Sequence, residues 1–444
     1  MFTDTIMGTK TIEITVKLPN LDKSGVSEPE LAEGMIPVYY DESAETWKKA
    51  SKGNSNKKYQ WYDYDNKMWA NSVTVSSTNR SKYLSASPGT EIPMDDILTM
   101  QVWIPRYKYK VWNYNANGTT SSSPQPIEIT FENETESTGE ITCEDNIQGS
   151  SGDGTSEICK LKATNETCTD DLCNGKTYTH PAFTFGDEEI KGFWIGKFEL
   201  TGTIDSITVK PNLSSIRSQT VSSFETNIMN MKNSGNQYGL SASADTHMIK
   251  NSEWGAVAYL SHSKYGTCID GTCTEIGINN NYNHITGCGA IAESSSSSTC
   301  NAYNTTTGML ASTTQNIYGV YDMSGGSSEY TMSNIVNTDG TTMVPSSSGF
   351  TTTTYPDAKY YDKYSYSTSN TSRKRSKLGD GIKEVYNTSN YGWYRDFSFL
   401  ANSSNPWFYR GGYCSNGAYA GVFYLNFYNG SSRSNYSSHS VITP

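Results

Sequence analysis

Nine cysteines and five histidines are the most reactive groups in this 444-residue chain. Eight of the cysteines fall into near pairs: Cys143 with Cys159, Cys168 with Cys173, Cys268 with Cys273, and Cys288 with Cys300. All flank stretches rich in Ser, Gly, Asn, Asp and Thr, the setting in which disulfides close small loops of extracellular chains. On the loop-entropy account each closure contributes roughly 3 kcal/mol or less. The rival reading is zinc held by Cys168 and Cys173 with Cys268 and Cys273. Their spacing reaches the upper edge of the ligand range, but neither pair has an apolar knuckle around it, so the sequence predicts no metal. Cys414 is left without a partner.

His180, His247, His262, His284 and His439 have no Ser or Cys elbow beside them and no metal-ligand spacing. Each reads as a satisfied or exposed histidine. The carboxylate pairs Asp95-Asp96 and Asp187-Glu188-Glu189 read as solvated turns, and a structural calcium is the only cofactor they suggest, without a D-x-D-x-D-G loop to hold it. No catalytic residue follows from these patterns, and the expectation is a protein that is not an enzyme.

The C-terminal stretch points to contact instead. Over 407–442 a frame of Gly, Ala, Val and Leu is interleaved with Tyr, Ser, Asn, Cys and His. Tyr offers a large amphipathic ring while fixing two torsions, and Ser, Asn and Gly offer adaptable hydrogen bonds, as in antibody paratopes. From Phe408 onward the chain contains no Lys, Glu, Gln, Met or Trp. Those five are what a codon randomised at its first two positions before a fixed C cannot specify, a mark consistent with targeted diversification.

Composition narrows the partners. A net charge of −11 with mixed signs argues against nucleic acid, whose phosphates need clustered Lys and Arg. The one basic cluster, Arg373-Lys374-Arg375 with Lys377, reads as a solvated turn. No apolar run of membrane-spanning length exists, so no membrane insertion is expected. Met1-Phe2-Thr3-Asp4 lacks the regions of a secretion signal, which leaves a truncated chain or another route, such as release within a virus particle.

Three parts must position the tail: an N-terminal strand and linker over 1–34, a small β-rich adaptor over 35–92, and a main domain over 93–444. Alternation predicts strands at 11–18, 36–40, 59–64, 68–75 and 192–201. Helices are expected at 222–232 and 246–264, the second with Gly255 in its interior. Two cysteine-clamped insertions, 115–180 and 266–312, read as decorated loops.

The order Gly192-Phe193-Trp194-Ile195-Gly196-Lys197, then Ser252-Glu253-Trp254-Gly255-Ala256, then Tyr318-Gly319-Val320-Tyr321-Asp322-Met323-Ser324-Gly325, then Arg410-Gly411-Gly412, resembles the formylglycine-generating-enzyme branch of the C-type lectin fold. Within it the chain is most similar to the variable proteins of diversity-generating retroelements from gut bacteria and their phages. The resemblance implies an α+β, C-type lectin-like fold with a hypervariable C-terminal surface. By that resemblance the ligand-binding, variable positions are Tyr409, Tyr413, Cys414, Ser415, Asn416, Tyr419, Phe427, Tyr428, Ser432, Ser434, Asn435 and Tyr436, with Tyr413, Tyr419 and Tyr436 as aromatic anchors. The motif at 326–330 departs from the family, with Ser327-Ser328-Glu329 where a core Trp is usual. The oxidase members use two thiols beside the Arg-Gly-Gly segment, and only Cys414 stands there. The implied partner is a protein or glycan on a cell or phage-host surface, with a homo-oligomer allowed. The implied location is extracellular, on a cell surface or on a phage virion. A structural tail-fibre, pilus or adhesin component whose tip binds the host is the alternative.

Overall fold

A computed structural model describes residues 19–444 other than 117, 119, 151–153, 170 and 389. The strand expected at 11–18 lies outside these residues. Along the chain run strands β1 (Ile36–Asp41), β2 (Thr46–Lys49), β3 (Asn71–Val75), β4 (Ile97–Pro105), β5 (Gly192–Gly196), β6 (Asp245–Met248), β7 (Ser328–Ile335) and β8 (Asp362–Tyr364). The C-terminal strands are β9 (Trp407–Arg410), β10 (Leu425–Tyr428), β11 (Tyr436–Ser437) and β12 (Ser440–Thr443). The helices are α1 (Ser77–Ser85), α2 (Val221–Met229) and α3 (Asn251–Ser261). The class is α+β, with four disulfides.

The larger sheet has the antiparallel order β6-β12-β5-β4-β3-β1-β2. It spans the boundary expected near residue 93, because β3 pairs with β4 from Asn71 opposite Val102 to Val75 opposite Ile97. Trp61 stacks on Trp194 at 6.2 Å, and the buried Lys197 ammonium donates to Asn71 Oδ1 at 2.9 Å. The adaptor strands and the main domain thus share one sheet and one core.

Several local expectations give way to tertiary contacts. At 59–64 the expected strand is replaced by short 3-10 turns, Lys57–Tyr59 and Tyr64–Asn66. There the Asn54 side-chain oxygen accepts from the amides of Trp61 and Tyr62 at 2.8 and 3.2 Å, taking the place of a ladder partner. The helix expected over 246–264 is shorter, because Thr246, His247 and Met248 pair with β12 as strand β6. The Glu253 carboxylate accepts the Lys250 amide at 2.9 Å and fixes where α3 begins. Gly255 costs helix propensity but is required, since a Cβ there would sit 1.9 Å from the carbonyl oxygen of Gly379.

The first insertion is more ordered than a loop. Ile129–Phe131, Ile141–Asp145, Glu157–Leu161 and Thr177–Thr179 join Tyr107–Lys110 in a five-stranded sheet, and Cys143 faces Cys159 across it. The basic cluster is not a solvated turn: Arg373 and Arg375 are buried. The Arg373 guanidinium donates to Ser398 Oγ at 2.6 Å and Arg375 to the Ser369 carbonyl at 2.7 Å.

The tail builds the second sheet, ordered β8-β7-β9-β10, with β11 on the other edge of β7. Its last strand, β12, returns to the large sheet between β6 and β5. The two sheets are thereby joined by the tail itself.

Candidate functional site

Strand pleating assigns the tail residues to two faces. In β9, Trp407 and Tyr409 share one face, and the register sets Tyr428 opposite Trp407 and Asn426 opposite Tyr409. On the reverse face Phe408, Leu425 and Phe427 pack with Ile335, Tyr364 and Leu400 in a small core. Phe427 is therefore turned away from the tyrosines, contrary to the sequence grouping.

On the tyrosine face the rings run in sequence. Tyr428 lies 5.8 Å from Tyr436, Tyr436 4.7 Å from Tyr409, and Tyr409 5.9 Å from Tyr424. Tyr424 is 6.1 Å from Phe397, which stacks nearly parallel on Tyr419 at 4.4 Å. Cations cover the ends: Arg433 stands 4.3 Å from the Tyr428 ring and Arg395 5.3 Å from the Tyr419 ring. Tyr409 at 9% exposure and Tyr436 at 7% are buried supports, whereas Tyr413, Tyr419, Phe397 and Tyr428 are half-buried. Of the three anchors expected, Tyr413 and Tyr419 reach solvent and Tyr436 lies beneath the surface.

The turn that returns the chain over this face needs glycine. Gly411 and Gly412 both adopt left-handed backbone, φ 77° and 72°, and a Cβ on Gly412 would press within 3.1 Å of Ala420. Asn416 then closes the loop, its side-chain oxygen accepting the Tyr413 amide at 2.8 Å while its own amide donates to the Tyr413 carbonyl at 2.8 Å. Ser415, Ser432 and Ser434 are exposed and Asn435 is half-buried. The Ser434 carbonyl accepts from Arg217 at 2.6 Å and that of Asn435 from the Ser328 amide at 2.9 Å.

Cys414 is buried, the one cysteine outside the four disulfides. Burial pushes its thiol above the ordinary value, which disfavours the thiolate that nucleophilic or redox chemistry needs. Behind it lies a buried group of acids. The Ser327 amide donates to Glu199 at 2.6 Å, and Glu329 hydrogen-bonds His439 Nδ1. Burial raises both carboxyls well above the usual range and lowers His439 to about 4.

The second insertion borders the tail. Ala420 packs with Ile278 and Ala290, and the backbone of Glu293 and Ser294 lies beside Gly417. This insertion leaves Ile291 66% and Tyr282 52% exposed. A polar hollow of about 630 Å³, lined by Lys250, Lys359, Asp362 and Asp380 among others, contains no residue of 407–442.

Tyr391, Phe397, Phe399 and Arg395 were not among the sequence-derived positions. The signal was present, since Phe397 and Phe399 are two apart in an aromatic run, as on one face of a strand. Phe397 reaches the face because β10 is flanked by its segment, the Leu425 amide donating to the Phe397 carbonyl at 2.7 Å.

The cysteines of the zinc reading form two separate disulfides. Among the described residues two groups bring three metal-type donors together, His262 with Cys268 and Cys273, and Glu157 with Cys143 and Cys159. Asp95-Asp96 and 187–189 belong to neither; Glu189 bonds Arg106, and Asp96 accepts the Tyr83 hydroxyl. Among the described residues no helix is long and apolar enough to cross a membrane. The chain matches no protein-family model, and no curated protein is significantly similar to it, so its function is read from this geometry.

Proposed function

We propose that this chain is a non-catalytic binding protein of the C-type lectin type, in the formylglycine-generating-enzyme-like branch, and that its C-terminal face is a retroelement-diversified surface for a protein or glycan on another cell or a phage host. The supporting observation is the unbroken row of aromatic rings from Tyr419 through Phe397, Tyr424, Tyr409 and Tyr436 to Tyr428, on a β-sheet face with half-buried rings at both ends. Aromatic rings over a packed layer suit contact, since they offer large area at small entropic cost. Four disulfides favour an oxidising, extracellular setting. The buried, unpaired Cys414 fits neither a two-thiol copper site nor an activated nucleophile.

Surface proteins and glycans captured by the full chain from candidate host cells, compared with those captured by a Tyr413→Ala/Tyr419→Ala/Tyr428→Ala variant, test the face. Loss of about tenfold or more in capture is expected; an unchanged captured set overturns the assignment. Diversification is tested in the flanking DNA, where a near-copy of the codons from Trp407 onward, differing at adenines and beside a reverse transcriptase, is expected.

A further inference from the structure

The Cys268–Cys273 pair is built differently from the other pair of the same separation, Cys168–Cys173. Cys268–Ile269 and Thr272–Cys273 form a minimal hairpin in which Cys268 is directly opposite Cys273, with Cα atoms 3.9 Å apart. Its two-residue turn, Asp270-Gly271, has φ 49° and 78°, the left-handed pair that a tight hairpin turn requires. The hairpin therefore holds both sulfur positions together by its backbone. A third donor stands beside them: a ring nitrogen of His262 and the two sulfurs all lie within 4.8 Å of one another.

His262 is held by α3 and by an aromatic pocket, whose Tyr394 hydroxyl also lies 3.5 Å from the Cys273 carbonyl. It caps the C-terminus of α3, its amide donating to the Ala258 carbonyl at 3.1 Å. Its ring rests against Trp393, Tyr394 and Phe423. The Tyr394 hydroxyl is 3.3 Å from Nε2, the kind of oxygen partner that orients a ligating imidazole. The other three-donor group lacks this freedom, because Glu157 is committed to Lys383 at 3.1 Å and to the Leu378 amide at 2.8 Å. Cys273 is half-buried rather than enclosed, which leaves an approach for solvent.

We infer that Cys268, Cys273 and His262 form a redox-gated site for a thiophilic divalent cation such as Zn²⁺, closed while the disulfide stands and open once it is reduced. Two thiolates and one imidazole, with solvent as fourth ligand, make a Cys₂His set that zinc accepts. The chemistry balances with a phosphine as reductant. The phosphine gives two electrons to the disulfide and leaves as its oxide with oxygen from water, yielding two thiols; Zn²⁺ binding to both sulfurs then releases two protons. The ligand set differs from the zinc reading of the sequence, which joined two cysteine pairs and no histidine. The site does not depend on what the C-terminal face binds.

The test uses the full chain, partly reduced with a phosphine and freed of it, then pulsed with iodoacetamide with and without Zn²⁺, with each cysteine mapped by peptide mass. Zn²⁺ is expected to slow alkylation of Cys268 and Cys273 about tenfold or more while leaving Cys168 and Cys173 unchanged. Co²⁺ in place of Zn²⁺ is expected to give a thiolate-to-metal absorption band, and His262→Gln to remove the protection. Equal protection of the two pairs, no protection of either, or full protection in His262→Gln overturns the proposal. Should His262→Gln fail to fold, the comparison of the two pairs in the unmodified chain decides alone.

Discussion

The ring of Tyr409 lies 4.7 Å from that of Tyr436, tilted by 42°, although the two residues come from strands on opposite edges of β7. Contact across that strand is possible because Ser328, opposite Tyr436, is small, and the neighbouring Tyr330 ring closes the other side at 4.9 Å. Burial raises the phenols of Tyr409, Tyr424 and Tyr436 alike. The pair supports the face from beneath.

Tyr409→Phe, which removes the buried hydroxyl and keeps the ring, is expected to cost about 1 kcal/mol or less of stability. Tyr436→Ala, which empties a buried ring position, is expected to cost about 3 kcal/mol or more. Denaturant unfolding followed by tryptophan fluorescence separates them. Equal, negligible losses would show that neither ring supports the sheet.

Lys197 joins the N-terminal strands to the rest. Its buried ammonium has three acceptors, Asn71 Oδ1 at 2.9 Å and the carbonyls of Ile317 and Gly319 at 2.7 and 2.8 Å. Lys197→Met would leave all three buried and unpaired, and a loss of about 3 kcal/mol or more is expected. Thermal melts would show it as a lower midpoint for the whole chain, since the adaptor strands and the main domain share a sheet. Two separate transitions would contradict that.

Acid should weaken the fold through its histidines. Burial lowers His180 from 6.5 to about 3, and His262 and His439 to about 4. A depressed histidine stabilises the folded chain fully above its unfolded value, and that contribution is lost as pH falls from 6.5 toward 4 and below. In the His180→Asn variant, the decline of melting temperature over that window should be shallower than in the parent. Superimposable profiles would exclude His180 as a contributor.

Glu384 acts with the opposite sign. Burial pushes it up to about 8, and its carboxyl meets the hydroxyls of Tyr109 and Tyr259 at 2.6 and 2.7 Å. Its stabilisation is complete below the unfolded value of 4.5 and is lost as pH rises through about 8. Glu384→Gln, neutral at every pH, should flatten the fall in stability between pH 4.5 and about 8. A profile unchanged between pH 5 and 9 would overturn the assignment.

The Cys143–Cys159 bridge crosses two strands of the first insertion. Replacing both with Ser is expected to cost that sheet roughly 3 kcal/mol. Hydrogen exchange should rise there first while the Tyr409 face keeps its protection. Uniform exchange across the chain would show that the insertion and the core open together.

What the sequence determined by itself is local. Cysteines 5 to 16 residues apart found one another because short separation makes closure cheap, so all four pairings follow from proximity along the chain. The interleaving of a Gly, Ala, Val and Leu frame with Tyr, Ser and Asn over 407–442 is likewise legible along the chain. Tertiary structure decided which alternate face is covered. Period-2 alternation assigns Phe427 and Tyr428 to opposite sides, but only the packing of Phe427 against Ile335, Tyr364 and Leu400 shows which side is interior. It also recruited Phe397 from outside the tail, buried Arg373 and Arg375, extended one sheet across the expected boundary at 93, and set His262 beside Cys268 and Cys273. In each case the deciding partner is brought close by the fold rather than by the spacing of like residues, and burial depends on that partner.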